Sequence, residues 1–146
     1  MKKLIRCICI ILVCGLLFAV PAQAAETVEP RASYFFSCYG TDLYKTSSTS
    51  FQIWFDVVSN VLTMDVLGVS EIILYQSADQ QSWTKIQTYY MEDYPQMVAQ
   101  NTCSHDGYVP YNSAIPGYYY RAYITFYARS GNGTGERYVY TEILRM

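Results

Sequence analysis

Short runs of β-favouring residues, separated by turn residues, cover most of the chain from residue 34 onward. The runs are rich in Tyr, Phe, Ile, Val and Thr, and no segment keeps the 3.6-residue period of an amphipathic helix. We predict seven strands, at Tyr34–Tyr39, Phe51–Val58, Glu71–Gln76, Trp83–Tyr90, Gly107–Tyr111, Tyr118–Arg129 and Glu136–Leu144. This spacing predicts an all-β, antiparallel, immunoglobulin-like sandwich in one domain, residues 33–146.

Two segments do not follow the pattern clearly. Asn60–Ser70 is either an eighth strand or a packed loop, because its apolar residues do not alternate cleanly. Met91–Asp106 is predicted to be a long irregular connection. Long loops are places where functional residues tend to lie.

The last two predicted strands can be paired from their alternation. We expect one set of alternate residues to face the core: Tyr118, Tyr120, Ala122, Ile124, Phe126 and Ala128. Matching apolar faces predicts the core pairs Phe126–Val139, Ile124–Thr141 and Ala122–Ile143, and the outer pairs Tyr127–Tyr138, Thr125–Tyr140 and Tyr123–Glu142. The connecting loop, Ser130–Gly135, is rich in glycine, but a phosphate-binding loop would lead into a helix rather than a strand.

An earlier hairpin has a clear turn. Its first strand is Ile72–Gln76 and its second is Trp83–Tyr89, joined by the turn Ser77–Ser82. The Asp and Ser side chains of this turn can accept hydrogen bonds from its backbone N–H groups. The turn and second strand of this hairpin, "S-x-D-x-x-S-W-T-x-I", and the later strand "P-G-Y-Y-Y-R-A-Y-I-T-F-Y-A" resemble fibronectin type III and related immunoglobulin-like modules. That resemblance implies a corner-pinning tyrosine, Tyr118 or Tyr120.

The order of hairpins, the N-terminal signal-like segment and Glu92–Met97 also resemble a group of small secreted Gram-positive bacterial proteins known as a domain of unknown function. This resemblance implies a bacterial, extracellular setting. It implies no activity.

The N-terminus has the pattern of a cleavable secretory signal peptide, residues 1–24. The basic Met1–Arg6 precedes an apolar run of 14 residues, Cys7–Val20, and the small-x-small site Ala22–Ala24. A membrane anchor would need about 20 apolar residues. A lipoprotein modified at Cys14 is the closer alternative, although the apolar run continues past that residue. We expect a secreted protein with a short leader, residues 25–32, and no stable membrane anchor.

Cleavage changes the charge of the chain. Removing Lys2, Lys3 and Arg6 from ten basic residues leaves seven against twelve acidic ones, a net charge of −5. Nucleic acid and anionic membranes are poor partners for such a surface, because both require a basic patch.

Cleavage also leaves Cys38 and Cys103 as the remaining cysteines. In an oxidising compartment they form a disulfide, which would stabilise the fold by roughly 4 kcal/mol, or remain two free thiols. Neither their spacing nor their neighbours predict a metal site.

Catalytic chemistry has little support in the sequence. His105, the single histidine, is predicted to lie in a surface loop, and adjacent side chains of an extended Ser104-His105-Asp106 point apart and cannot form a triad. The loop acids match no calcium-binding loop. We predict no cofactor, no metal and no catalytic residue, although paired carboxylates for glycoside hydrolysis are defined in space rather than by spacing.

The candidate binding surface is the outer face of the last hairpin. It is predicted to carry Tyr119, Arg121, Tyr123, Tyr127, Tyr138 and Tyr140. Such rings suit a glycan or an extracellular protein, or serve only as good strand residues. We expect a non-catalytic binding or adhesion module. The alternatives are a small secreted hydrolase acting on carbohydrate and a structural component of an extracellular matrix.

Overall fold

The computed structural model describes residues 35–146, which form strands and one short 3₁₀ helix, Pro95–Met97. The strands are β1 (Phe36–Lys45), β2 (Phe51–Ser59), β3 (Met64–Ser77), β4 (Thr84–Tyr90), β5 (Val98–Thr102), β6 (Ser104–Tyr111), β7 (Tyr119–Ser130), β8 (Gly133–Tyr140) and β9 (Leu144–Arg145). The predicted signal peptide, the leader and Tyr34 lie outside the described residues.

The strands form two sheets, and all of their pairs are antiparallel. The small sheet has the order β1-β2-β6, and the large sheet has the order β4-β3-β7-β8, with β5 added to β3 and β9 added to β7. The predicted antiparallel β-sandwich is therefore confirmed. The main paths hold seven strands, and β5 and β9 are short additions to them.

The ambiguous segment Asn60–Ser70 contributes to a strand, because β3 begins at Met64 and is 14 residues long. Its first half pairs with β5 and its second half with β4, while β7 pairs along the other edge. The strand passes β5 closely at Gly68, which has a φ of +154° and where an added Cβ would collide with the carbonyl oxygen of Met97. Only glycine suits this position.

The connection Met91–Asp106 is more regular than predicted. It contains the 3₁₀ helix, β5 and the start of β6. Met97 is fully buried, so the helix closes over the core. A strand as short as β5 escaped prediction because Val98–Thr102 has a single β-branched apolar residue, with no alternation to reveal it.

The core lies between the sheets and follows the alternation of the strands. Along β2 every second side chain is buried, and along β7 the predicted core residues Tyr120, Ala122, Ile124, Phe126 and Ala128 are fully buried. Tyr118 is partly buried against them. The face assignment made from sequence is correct for this strand.

The predicted register of the last hairpin is wrong by two residues. Ser130 pairs with Gly133, so the loop has two residues, Gly131 and Asn132, rather than six. Gly131 has a φ of +57°, which favours glycine in a tight hairpin loop. Because the error is an even number of residues, each side chain stays on its predicted face.

The corrected pairs place Val139 opposite Ile124, Tyr140 opposite Tyr123, Tyr138 opposite Thr125, and Glu136 opposite Tyr127. Phe126 faces Arg137 rather than Val139. Matching apolar residues failed because β8 is an edge strand, where an arginine can extend its charged end into solvent. The predicted strand Glu136–Leu144 is divided into β8 and β9.

The glycines of β8 have a packing role. A Cβ at Gly135 would lie 2.5 Å from Cδ2 of Phe35, and one at Gly133 would lie 3.0 Å from Cζ of the same ring. The ring of Phe35 therefore occupies the space that side chains would fill at these two positions.

Tyr120 is the corner-pinning tyrosine. Its side chain is fully buried, and its hydroxyl accepts a hydrogen bond of 2.7 Å from the backbone N–H of Ile115 and donates one of 3.3 Å to Oε1 of Gln76. It is Tyr120 rather than Tyr118 that fits the role implied by the fibronectin type III resemblance.

Cys38 and Cys103, for which the sequence leaves a disulfide and free thiols as alternatives, are free and exposed. Val58 of β2 pairs with Cys38 on one side and with Ser104 on the other, so β2 separates the two thiols. Two strand spacings are about 10 Å, beyond the separation of about 7 Å that a disulfide spans. Of the two alternatives, the structure has the free thiols.

Among residues 35–146 there is no helix long and apolar enough to span a membrane.

Candidate functional site

The candidate site is the outer surface of the large sheet. Its register places Tyr75 of β3 beside Arg121 of β7, and Ile73, Tyr123 and Tyr140 side by side on β3, β7 and β8. Trp83 precedes β4 and donates a 3.1 Å hydrogen bond from Nε1 to the carbonyl of Gln80, which fixes its indole ring. We name this surface the aromatic face and define it by Tyr75, Trp83, Arg121, Tyr123, Tyr138 and Tyr140.

The rings of the aromatic face contact one another. The centroid of Tyr123 lies 4.8 Å from that of Tyr140 and 6.0 Å from that of Tyr138, to which it is nearly parallel, and Tyr75 lies 6.4 Å from Tyr140. Tyr138 and Tyr140 are 56% and 49% exposed. Aromatic pairs at these distances are mutually stabilising, so the rings form a continuous and well-ordered surface.

Arg121 lies among these rings. Its guanidinium carbon is 4.2 Å from the ring centroid of Trp83, 4.7 Å from that of Tyr140 and 5.8 Å from that of Tyr75. These are cation–π contacts. Nε is buried without a hydrogen-bond partner, and within the described part of the chain the guanidinium forms no hydrogen bond or ion pair.

The hydroxyl of Tyr138 has a fixed orientation. It donates a 2.6 Å hydrogen bond to Oε2 of Glu136, two residues earlier on the same face of β8. This hydrogen bond and the nearby carboxylate raise the pKa of Tyr138. Burial is the main cause of the raised pKa of Tyr123. Both phenols therefore stay protonated throughout the neutral range, and the single O–H of Tyr138 is donated to Glu136.

The sequence-predicted binding residues fall into two groups. Arg121, Tyr123, Tyr138 and Tyr140 are in mutual contact within the aromatic face. Tyr119 and Tyr127 lie at the two ends of this face. The guanidinium carbon of Arg145 is 5.6 Å from the ring centroid of Tyr119, and Tyr127 pairs with Gly68 and Glu136 in the neighbouring strands.

Tyr75 and Trp83 were missed in the sequence-based prediction. Tyr75 is on the outer face because it lies next to buried Leu74, and alternation could have shown this. Its closeness to Arg121 could not be predicted, because β3 and β7 are far apart in sequence and their pairing depends on the crossover topology.

The outer surface of the small sheet has a different composition. Its rows place Asp42, Trp54 and Tyr108 side by side, and Gly40, Asp56 and Asp106 side by side. Tyr44 makes an edge contact with Trp54, with centroids 6.3 Å apart. We name this surface the acidic face.

His105 does not lie in a loop as predicted. It is in β6, half-buried, with its ring 5.7 Å from that of Phe55 and Nε2 3.0 Å from the carbonyl oxygen of Gln96. It pairs with Val57, whereas Ser104 and Asp106 point to the other face of the strand. These contacts are structural.

Cavities and metal-ligand groups add little to the site. A shallow cleft of about 310 Å³ lies at the turn before β4 and includes Ser77, Asp79 and Tyr118, and another of about 540 Å³ lies beside His105 and Tyr108. Backbone N–H groups of Ser82 and Gln81 lower the pKa of Asp79, so its carboxylate serves the turn. The described residues contain no group of three or more His, Cys, Asp or Glu side chains placed to hold a metal ion.

Comparisons with known proteins give one distant match. Neither a protein-family model nor a curated protein sequence matches this chain. A solved structure, that of the sporulation control protein Spo0M from Bacillus subtilis, is similar over 71% of this chain and 48% of its own, with 10% sequence identity and a TM-score of 0.39. This chain thus spans about half the length of Spo0M, and the function has to be inferred from the site.

Proposed function

We propose that this protein is a secreted, non-catalytic binding module that contacts an extracellular glycan, or an exposed protein surface, through the aromatic face. The observation that supports the proposal is the continuous set of contacting rings, of which Tyr138 and Tyr140 are about half exposed. Contiguous apolar patches on a folded domain tend to mark interaction sites.

The physical basis is the amphipathic nature of tyrosine. The ring removes apolar area from water when a sugar ring or an apolar side chain lies on it, while the hydroxyl stays available for a hydrogen bond. Tyr123, packed between Tyr138 and Tyr140, restrains both exposed rings before a ligand arrives. Less conformational entropy is then lost on binding.

The test is to replace the two exposed rings and compare binding on a glycan and peptide array. The variant Tyr138→Ser with Tyr140→Ser is expected to lose binding of any ligand that the natural protein retains. The matched control is Tyr44→Ser with Tyr108→Ser on the acidic face, because Tyr44 and Tyr108 are 50% and 49% exposed. Both variants should still melt cooperatively. Equal binding by the two variants would contradict the proposal.

Secretion is part of the proposal and has its own measurement. Intact-mass analysis of the culture supernatant is expected to give a chain cleaved near Ala24. A full-length chain in the membrane fraction would contradict export as a soluble protein.

The hydrolase alternative has its best candidate on the other face. Asp56 and Asp106 are directly opposed in neighbouring strands, which places their Cβ atoms about 5 Å apart. Asp106 lines the cleft of about 540 Å³ beside His105, but Asp56 does not, so the two carboxylates do not flank that cleft. Release of shorter sugars from oligosaccharides by the natural protein, and its loss in Asp106→Asn, would favour this alternative.

A further inference from the structure

We propose that the end of the aromatic face around Arg121 binds the carboxylate of an acidic sugar. This inference rests on the proposed function and names the ligand class of the same surface.

The guanidinium of Arg121 is held but not hydrogen-bonded. Trp83 and Tyr140 lie against it, at 4.2 Å and 4.7 Å, and Nε is buried without a partner. The two Nη groups form no hydrogen bond or ion pair with the described residues, and the side chain as a whole is half-buried rather than enclosed. A buried donor without a hydrogen bond calls for an explanation. An arginine already restrained by rings, with an open pair of N–H groups, suits bidentate binding of a planar carboxylate.

The surrounding charge also favours an anion. Tyr75 of β3 pairs with Lys85 of β4 on one side and with Arg121 of β7 on the other. Two cations therefore lie on either side of its ring. Arg145 of β9 adds a third cation over Tyr119, two residues before Arg121. Glu142 lies beside Arg121, because Thr141 bonds to Ala122 and Leu144 pairs with Tyr120; it is exposed and forms no ion pair with Arg121.

Asp79 lies in the turn before Trp83, where its carboxylate accepts hydrogen bonds from the backbone N–H groups of Gln81 and Ser82. Two further acidic residues lie towards the opposite end of the surface. Glu71 pairs with Thr125, four residues along β7 from Arg121, and Glu136 pairs with Tyr127, six residues along. Four residues of strand span about 13 Å. At physiological salt this exceeds the screening length of about 8 Å, so Glu71 and Glu136 do little to offset the charges of Arg121, Lys85 and Arg145.

The neighbouring rings indicate that the carboxylate is carried by a sugar. Tyr140 contacts Arg121 and is half-exposed, and Tyr138 continues the surface along β8. A pyranose ring could lie on these tyrosines while its carboxylate reached the Nη groups. The surface is the outer face of a sheet, which suits a stretch of polysaccharide better than a small enclosed ligand.

The first experiment needs no substitution. Binding of the natural protein is measured by calorimetry with a short oligogalacturonate, with the same oligosaccharide fully methyl-esterified, and with a sialylated oligosaccharide. The methyl ester keeps the sugar rings and removes the charge. We expect the free acid to bind about tenfold or more tightly than the ester. The sialylated probe distinguishes a plant- or microbe-type polyuronate from an animal-type glycan as the source of the carboxylate.

The second experiment replaces the arginine. Arg121→Gln is expected to weaken oligogalacturonate binding about tenfold or more and to abolish the preference over the ester. Arg129→Gln is the matched control, since Arg129 lies on the same strand, eight residues away, and its loss removes the same charge. Arg121→Lys should recover part of the affinity, because it keeps the charge but not the bidentate geometry. Thermal melting checks that each variant is folded.

The outcomes separate this inference from the proposed function. If acid and ester bind equally and Arg121→Gln has no effect, while the Tyr138 and Tyr140 variant loses binding, the carboxylate inference is wrong and the aromatic face remains a binding surface. If the tyrosine variant also keeps its binding, both are wrong. Failure of all three oligosaccharides to bind would overturn the carboxylate inference, and a peptide retained on the array by the natural protein, but not by the tyrosine variant, would leave the binding role intact.

Discussion

The two outer faces of the sandwich both carry exposed aromatic side chains, but they differ in how the rings are held. On the aromatic face, Tyr123 contacts two other tyrosines and Arg121 lies against three rings. On the acidic face, Trp54 contacts Tyr44 alone among the rings of the described residues, and Asp42, Asp56 and Asp106 occupy neighbouring positions.

The difference lies in the charge that accompanies the rings. The strands of the small sheet contain no arginine, and their outward aspartates repel one another when ionised. The large sheet places a guanidinium where its flat sides meet rings, and its N–H groups remain available. Exposed tyrosines are present on both faces and do not distinguish them. The faces differ because the aromatic face alone holds an arginine, Arg121, between its rings.

Among these predictions, we expect the largest change in the free energy of unfolding when the pH is raised. The change comes from Tyr89, on the inner side of the large sheet, rather than from the exposed tyrosines of its outer side. Burial between the sheets raises the pKa of Tyr89 on β4 to about 12. The unfolded chain ionises near pH 10, so this contribution to stability is complete below pH 10 and is lost as the pH rises towards 12. The loss should approach roughly 2–3 kcal/mol.

The measurement is urea unfolding at a series of alkaline pH values. Tyr89→Phe, which keeps the ring and removes the ionisable group, should lose less stability over this range. A variant with the same alkaline profile as the natural protein would show that Tyr89 is not responsible.

Removing one ring from each outer face tests the comparison directly. Tyr123→Ser should lower the free energy of unfolding by about 1–2 kcal/mol, because it ends contacts with Tyr138 and Tyr140. Tyr44→Ser should cost about 0.5 kcal/mol or less, because this half-exposed ring contacts Trp54 alone among the described rings. Denaturant midpoints measured in the same buffer give both values, and equal losses would remove the distinction between the faces.

A smaller and opposite effect is expected on the acidic face. Asp106→Asn should raise the stability at neutral pH by about 0.5 kcal/mol, since it ends the repulsion between Asp106 and the directly opposed Asp56. The gain should shrink at high salt, because exposed charges are screened. A loss of stability at neutral pH would indicate that the two aspartates support the fold in another way.

Local sequence pattern predicted the fold class and the faces of the strands well. Alternation along β7 identified its buried residues, because a strand with one buried face has a strict period of two. The same rule kept Tyr123, Tyr138 and Tyr140 on one surface even though the predicted register was wrong. The corner tyrosine came from resemblance to a known fold, and the hydrogen bond from Ile115 identified it as Tyr120.

Features that depend on distant pairing were not predicted. Matching apolar residues predicts a six-residue hairpin loop, because it gives no weight to the tight turn that Gly131 permits. The sequence could not decide between a disulfide and free thiols, because it does not show that β2 lies between Cys38 and Cys103. The contacts of Tyr75 and Trp83 with Arg121 likewise depend on β3 pairing with β7.

The divided pairing of β3 has a consequence for local opening of the domain. On one side this strand has β7 along most of its length, while on the other side β5 and β4 occupy successive stretches. Edge strands can separate while a central pair stays closed, so amide hydrogen exchange should be fastest in β5, β4 and β8 and slowest between β3 and β7. Trp83 enters β4 and Tyr140 ends β8, whereas Arg121 lies on the central β7. Trp83 and Tyr140 would therefore separate from the guanidinium of Arg121 before the whole domain unfolds. Binding would then be lost on mild heating, while the pairing of β3 with β7 stayed intact.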